Sequence, residues 1–197
     1  MPQIFFVTHP EVVFDPSIPV PKWPLSELGR QRMAKFAEAL RPTGVAAVWS
    51  SRERKARDGA DILAEVLGVS PQIDAALGEN NRDSTGYIAP PEFWQVVEAF
   101  FANPTRSIRG WETAADAQTR IVGAVSRIAS SAPKHGPIVI VSHGGVGRLL
   151  AAHLQRVKIG QEDRPVNPGG GSFLTIDSVS LSLSQCWRDI EAFERPS

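Results

Sequence analysis

Pro137-Ile138-Val139-Ile140-Val141-Ser142-His143-Gly144-Gly145 decides how this chain is read. Four apolar β-branched residues follow a proline and end abruptly at a polar pair. A run this short, without alternation, fits a strand buried on both faces better than a helix. Two glycines then open a segment, 146–156, in which Leu149, Leu150 and Leu154 recur at helical spacing. Strand, polar tip and helix form the repeating unit of an α/β sheet, whose sites lie beyond the carboxyl ends of the strands.

Two other runs share this grammar. Ile4-Phe5-Phe6-Val7 ends at Thr8-His9-Pro10, and Val45-Ala46-Ala47-Val48-Trp49 ends at Ser50-Ser51. Helical stripes lie between the strands. Ser26 N-caps a segment to about residue 40 that carries Leu28, Met33, Phe36, Ala37 and Leu40. Ala56, Gly59, Ala60, Leu63, Val66 and Leu67 make a second helix, stopped by Gly68. Pro90-Pro91 opens a third, with Phe93, Val96, Val97, Phe100 and Phe101 on it. Thr113-Ala-Ala-Asp116 resembles a capping box and leads into Ala117, Ile121, Ala124, Val125 and Ile128, to about residue 131. Prolines at 10, 16, 19, 21 and 24 exclude a helix from that stretch, while 74–90 and 102–111 read as irregular. Ser172–Asp177 and Ser180–Trp187 alternate like strands. The expectation is one domain over 1–197, a three-layer α/β/α fold with a mostly parallel sheet.

Composition narrows the function classes. Lys and Arg number 21 against 21 Asp and Glu, so formal charge is zero, which argues against a nucleic-acid partner bound through bulk charge. Hydrophobic residues make up 42% of the chain, too many for disorder. No apolar run is long enough to span a membrane, and Met-Pro-Gln-Ile-Phe-Phe-Val lacks the features of a signal peptide. Cys186 is the single cysteine, so no intrachain disulfide can form; a cytoplasmic location is expected. No zinc-binding spacing, P-loop or Gly-x-Ser-x-Gly elbow is present. Neither a cofactor nor a metal is implied.

Two of the four histidines, His9 and His143, each stand first after a Thr or Ser at a strand end. If those strands are neighbours, both rings face one crevice. The third strand end runs into Arg52-Glu53-Arg54-Lys55-Ala56-Arg57, four basic residues against one acidic. Two imidazoles beside cations suit a phosphoryl group. A histidine attacks phosphorus when one ring nitrogen is free and the other is held by a hydrogen bond. Gly144-Gly145 opens a helix whose N–H groups would be free for an anion. Basic residues in a first helical turn oppose the helix dipole, which also favours a bound anion; the alternative is a solvated helix start. His135 reads as loop, and His153 as core or surface.

In motif order the chain resembles the histidine phosphatase superfamily, which includes the cofactor-dependent phosphoglycerate mutases. Thr8-His9-Pro10-Glu11 stands where that family carries Arg-His-Gly-Glu. Leu25-Ser26-Glu27-Leu28-Gly29 is similar to its Leu-Thr-x-x-Gly, and Ser50-Ser51-Arg52-Glu53-Arg54-Lys55-Ala56 to its Ser-Ser-Pro-x-x-Arg-Ala. Leu77-Gly78-Glu79, Trp111-Glu112-Thr113 and Ser142-His143-Gly144-Gly145 resemble its Leu-x-Glu, Gly-Glu-Ser and second histidine motifs. The resemblance implies a phosphoglycerate mutase-like fold and a phosphomonoester hydrolase with His9 as the phosphorylated nucleophile. It makes His143 a contact of the transferring group, Glu79 the proton donor, and Lys55 an occupant of a phosphate-binding arginine position. A solvent-exposed loop carboxylate is the other reading of Glu79.

Three departures bear on activity. Thr8 replaces an arginine that grips phosphate, Pro10 replaces a glycine and has no N–H, and Lys55 lacks the guanidinium fork. Losing one such donor costs about 10²–10³ in rate. Weak catalysis, relocated donors or a binding-only member follow as expectations; a mutase fits less well. Phosphate contacts are expected from Lys55, Thr8, Gly144, Arg52 and Arg54, with Arg57 and Arg82 as further substitutes for the arginine. The partner expected is a small phosphorylated substrate or a phosphate or sulfate ion. Substrate choice is expected in 10–24 and 79–111, where Phe93, Trp94, Phe100 and Phe101 read as core rather than pocket mouth.

Overall fold

A computed structural model describes residues 3–131, 133 and 135–194. Met1 and Pro2, part of the stretch read for a targeting signal, lie outside the described residues, as do the last three residues of the expected 1–197 domain.

Six strands form one sheet. They are β1 (Gln3–Thr8), β2 (Ala47–Ser50), β3 (Pro71–Ile73), β4 (Ile138–Ser142), β5 (Ser172–Asp177) and β6 (Ser182–Asp189), in spatial order β3-β2-β4-β1-β5-β6. Parallel pairing joins β3 to β2, β2 to β4 and β4 to β1, whereas β5 runs antiparallel to both its neighbours. The mostly parallel α/β sheet is therefore present, with a reversed strand near one edge.

The helices are α1 (Glu27–Leu40), α2 (Arg54–Leu67), α3 (Glu92–Ala102), α4 (Ala114–Ser131) and α5 (Gly144–Gln155). Strand side chains alternate between two cores. Ile4, Phe6, Ile138 and Ile140 face α4 and α5 through Ile121, Val125, Leu149 and Leu150. Phe5, Val7, Val139 and Val141 face α1 and α2 through Met33, Phe36, Ala60 and Leu63. Strands buried on both faces need no polar alternation, hence the continuous apolar runs.

Ser26 caps α1 by accepting from the Gly29 N–H at 3.1 Å. Thr113 Oγ1 accepts from the Asp116 N–H at 3.1 Å and donates to the Asp116 carboxylate at 2.7 Å. Boundaries differ from the sequence expectation in small ways. β2 begins at Ala47 rather than Val45, and α5 begins at Gly144 rather than 146. β6 spans 182–189 instead of 180–187, because the Asp177 carboxylate accepts from the Val179 and Ser180 N–H groups and closes a turn there. β3 was not foreseen: it is three exposed residues opening with a proline, which the sheet edge tolerates. Among the described residues no helix is long and apolar enough to cross a membrane.

Candidate active site

Register brings the strand tips together. Thr8 of β1 lies opposite Ser142 of β4, and the His9 N–H donates to the Ser142 carbonyl at 3.0 Å. The next residues, His9 and His143, thus emerge side by side, with ring centroids 5.2 Å apart. On the other side of β4, the Ser51 N–H reaches the Val141 carbonyl at 3.3 Å, so the β2 tip joins the same edge.

His9 Nδ1 bonds the Pro10 carbonyl at 2.9 Å, so the proton resides on Nδ1 and the Nε2 lone pair is left bare. Burial holds the imidazole down to about 3, reinforced by His143 and Lys55 and opposed by the Pro10 carbonyl. The ring is neutral across the physiological range. Its backbone is clamped from below by the Gly169–Gly171 turn. The Gly171 N–H donates to the Thr8 and His9 carbonyls, both at 3.2 Å. At Gly170, with φ +85°, a Cβ would collide with the His9 carbonyl, so only glycine fits.

Glu11 ties the segment after His9 into the scaffold. Its carboxylate pairs with Arg32 at 2.9 Å, and Arg32 also binds Asp189, Glu191 and the Gly170 carbonyl. This buried guanidinium ties the segment after His9 to α1 and to the end of the sheet. Sequence reading missed it, since Arg32 looks like an ordinary helix residue.

His143 is 1% exposed and precedes α5. Nε2 lies 2.8 Å from Ser51 Oγ and 3.3 Å from Glu53 Oε1, while Nδ1 meets no hydrogen-bond partner among the described residues. Burial lowers its pKa against the opposing pull of Glu53 and Glu79.

Glu79 is a partly buried, hydrogen-bonded carboxylate, not a solvated loop side chain. It accepts from the Gly145 N–H at 3.0 Å and the Val146 N–H at 2.9 Å. The anion at this helix terminus thus comes from the chain itself, which corrects the expectation that these N–H groups are free. Burial pushes the Glu79 carboxyl upward, but Arg82, His143 and the Gly145 N–H outweigh it and keep it ionised. The Glu79 loop is fixed by Arg120, which donates to the carbonyls of Ala76, Gly78 and Glu79 and pairs with Glu112 at 2.7 Å. Glu112 is therefore a support of the loop.

The β2–α2 junction departs most from expectation. Lys55 is 5% exposed; its Nζ reaches the Val20 carbonyl at 3.0 Å and Glu53 Oε2 at 2.6 Å. Lys55 and His143 thus meet the same carboxylate, and sequence reading gave Glu53 no role. Burial pushes Glu53 up, but contact with His143 and Lys55 and the Glu79 N–H hold it at about 2. Arg54 is exposed and pairs with Asp58 at 2.7 Å, and Arg52 and Arg57 are exposed.

Of the arginine substitutes, Arg82 approaches the histidine cluster on the Glu79 side. It lies 3.5 Å from Glu79 and is stacked over Trp111 and Phe93, 4.8 and 5.2 Å from the ring centroids. Thr8 is bonded to the neighbouring strand. Its hydroxyl donates to the Ser172 carbonyl at 3.3 Å and accepts from the Ser172 N–H at 3.0 Å, stitching β1 to β5. Gly144 has open space beside its Cα. His135 and His153 are exposed.

Phe100 and Phe101 are core, whereas Trp94 is 55% exposed. The loops expected to choose substrate meet in a cluster of Phe14, Trp23 and Tyr87, with ring centroids 5.2 to 5.8 Å apart. Among the described residues no three His, Cys, Asp or Glu are grouped to hold a metal ion.

The model of the histidine phosphatase superfamily (branch 1) matches residues 19–183. A glucosyl-3-phosphoglycerate phosphatase of Mycobacterium tuberculosis is 27% identical over 146 residues, 68% of this chain and 66% of that protein. The match therefore spans just under two thirds of that relative's length. The solved mycobacterial glucosyl-3-phosphoglycerate phosphatase with inorganic phosphate superposes with a TM-score of 0.76 at 22% identity, covering 95% of each chain. Bacillus stearothermophilus YhfR gives a TM-score of 0.79 at 21% identity, over 94% of this chain and 95% of that one.

Proposed function

The chain belongs to the histidine phosphatase superfamily, and on that premise we propose that it hydrolyses small phosphomonoesters through a phosphohistidine on His9. The observation that carries this reading is the pairing of His9 and His143 at adjacent parallel strand tips, with His9 Nδ1 tied to Pro10 and Nε2 bare. The M. tuberculosis relative named as a phosphatase, and a solved mycobacterial one with inorganic phosphate, support the same reading.

In the first step the Nε2 lone pair attacks phosphorus. The N–P bond forms as the ester P–O bond breaks, and Nδ1 keeps its proton on the Pro10 carbonyl. The leaving oxygen takes a proton from an acid. In the second step water attacks phosphorus while giving a proton back to the acid that lost one, the N–P bond breaks, and the imidazole returns with its lone pair. His143 and Lys55 face the transferring group, and Arg82 supplies the guanidinium that Thr8 does not. Glu79 is the carboxyl positioned to serve as the acid. It is ionised in the free protein, but an arriving phosphoryl dianion adds negative charge beside it and raises its affinity for a proton. Glu79→Gln should therefore slow alkyl phosphates, whose leaving groups need a proton, more than p-nitrophenyl phosphate.

The deciding experiment is a phosphomonoester screen followed by mass spectrometry under acid-free quench. The expected result is a phosphate on His9 during turnover, and at least a 10³-fold loss of activity in His9→Ala. An active preparation in which His9→Ala keeps its rate would overturn the mechanism. A second reading, a member that binds phosphorylated ligands without turnover, is favoured by the commitment of Thr8 to Ser172. Phosphate binding without turnover of any ester would select it.

A further inference from the structure

We propose that the Glu53 carboxylate is an internal occupant of the phosphate cradle, holding the donors that a substrate phosphoryl group must take over. The inference rests on the reading of this crevice as a phosphoryl site. Two donors and an imidazole converge on Glu53: Lys55 Nζ at 2.6 Å, the Glu79 N–H at 2.9 Å, and His143 Nε2, which lies 3.3 Å away. A cation, a backbone N–H and an imidazole are the groups by which proteins grip phosphate. Here they grip a side chain carried by the same run as Lys55.

The charges of the crevice then cancel. Lys55 is matched by Glu53, and Arg82 lies against Glu79 and donates twice to the side-chain Oδ1 of Asn80, at 2.8 and 3.0 Å. Both histidines are held toward their neutral forms by burial. A phosphate dianion therefore meets no uncommitted cation from Lys55 or Arg82, and Lys55 is released only when Glu53 moves. Glu53 has somewhere to go. It stands just before α2, makes no side-chain cap there, and is flanked by exposed Arg52 and Arg54. Rotation of its side chain would carry the carboxylate outward and leave Lys55 and His143 facing the crevice.

Glu53→Gln is the test, since glutamine keeps the volume and the acceptor oxygen while removing the charge. Wild type and variant would be titrated with inorganic phosphate by calorimetry, and their thermal midpoints measured with and without it. The expected result is at least tenfold tighter phosphate binding and a larger phosphate-induced rise in midpoint for the variant. Inhibition of ester hydrolysis by phosphate should strengthen in parallel. A merely structural role predicts the opposite split, with lower activity and no gain in affinity. Should Glu53→Gln not fold, Glu53→Ser is titrated in the same way. Phosphate binding equal to or weaker than wild type overturns the proposal. If the variant binds phosphate more tightly while neither protein hydrolyses any ester, the occupant proposal stands and the phosphatase reading falls. If wild type turns over esters and Glu53→Gln gains no affinity, the reverse holds.

Discussion

Two parts of the crevice follow different rules. At the β1 and β4 tips, the histidines are carried by strand ends whose register is fixed by five aligned residue pairs from Ile4↔Ile138 to Thr8↔Ser142. Where the strands go, the rings go. At the β2 tip, four cations and one carboxylate follow the strand through a bend into α2. There the locally positive run delivers to the crevice one buried lysine and the one acid. Strand register transmits sequence position into space, whereas a bend and a first helical turn send successive side chains in different directions. A local sum of charge is therefore no measure of the charge a ligand meets.

The sharpest way to break this contrast is Lys55→Met. If Lys55 is the cation of the β2 tip that matters, ester hydrolysis should fall about 10²–10³-fold. Glu53 would also lose its partner at 2.6 Å, and stability should drop by about 3–5 kcal/mol because a buried charge is left uncompensated. Chemical denaturation and steady-state kinetics check both. A variant with wild-type stability would mean that the Lys55–Glu53 pair is not formed in solution.

Acid titration probes the histidine side. An unfolded His9 protonates near 6.5, whereas in the fold burial holds it down to about 3. Between those values the unfolded chain binds more protons, so stability is lost as pH falls through that window. Glu53 acts with the same sign lower down, between 4.5 and about 2. The thermal midpoint should fall from pH 7 to pH 4, and His9→Gln should flatten the fall, leaving a difference of several degrees at pH 4. Parallel curves would show that His9 titrates normally in the fold.

These tests also locate what was legible beforehand. The sheet was, because Ile4–Val7 and Ile138–Val141 are too short and too apolar to be anything but doubly buried strands, and their polar tips named both histidines. Glu79 was legible through the family pattern, but its hold on the Gly145 and Val146 N–H groups was not, since 66 residues separate it from Gly145. Glu53 was hidden for a different reason: an acid among four bases looks like solvated charge until its direction is known. β3 was hidden because three exposed residues at an edge carry no pattern. The Arg32 hub was hidden because its partners, Glu11, Asp189 and Glu191, come from both ends of the chain.

Thr8 separates family position from local use. Thr8→Val removes the hydroxyl that serves the Ser172 N–H and carbonyl and leaves a buried donor unpaired. A loss of about 1–3 kcal/mol in stability is expected, with KM within about twofold of wild type. A large rise in KM without destabilisation would return Thr8 to the phosphate site.

The smallest effect expected is at Arg54, and its smallness carries information. Arg54 and Lys55 are adjacent in sequence and carry the same charge, so by composition they are equal contributors to an anion site. In space Arg54 lies on the outer face of α2, paired with Asp58 one turn on, while Lys55 points inward to Val20 and Glu53. Coulomb interactions of exposed groups are weakened by water and by salt. Arg54→Ala should therefore leave kcat/KM and the phosphate inhibition constant within about twofold of wild type at physiological ionic strength. Because the field of an exposed charge reaches further at low salt, any residual effect should shrink as salt is added. A tenfold, salt-insensitive loss would mean that Arg54 swings in to grip the substrate. The β2 tip would then donate its cations in the closed complex rather than in the free protein, and its difference from the histidine side would be one of timing rather than of direction.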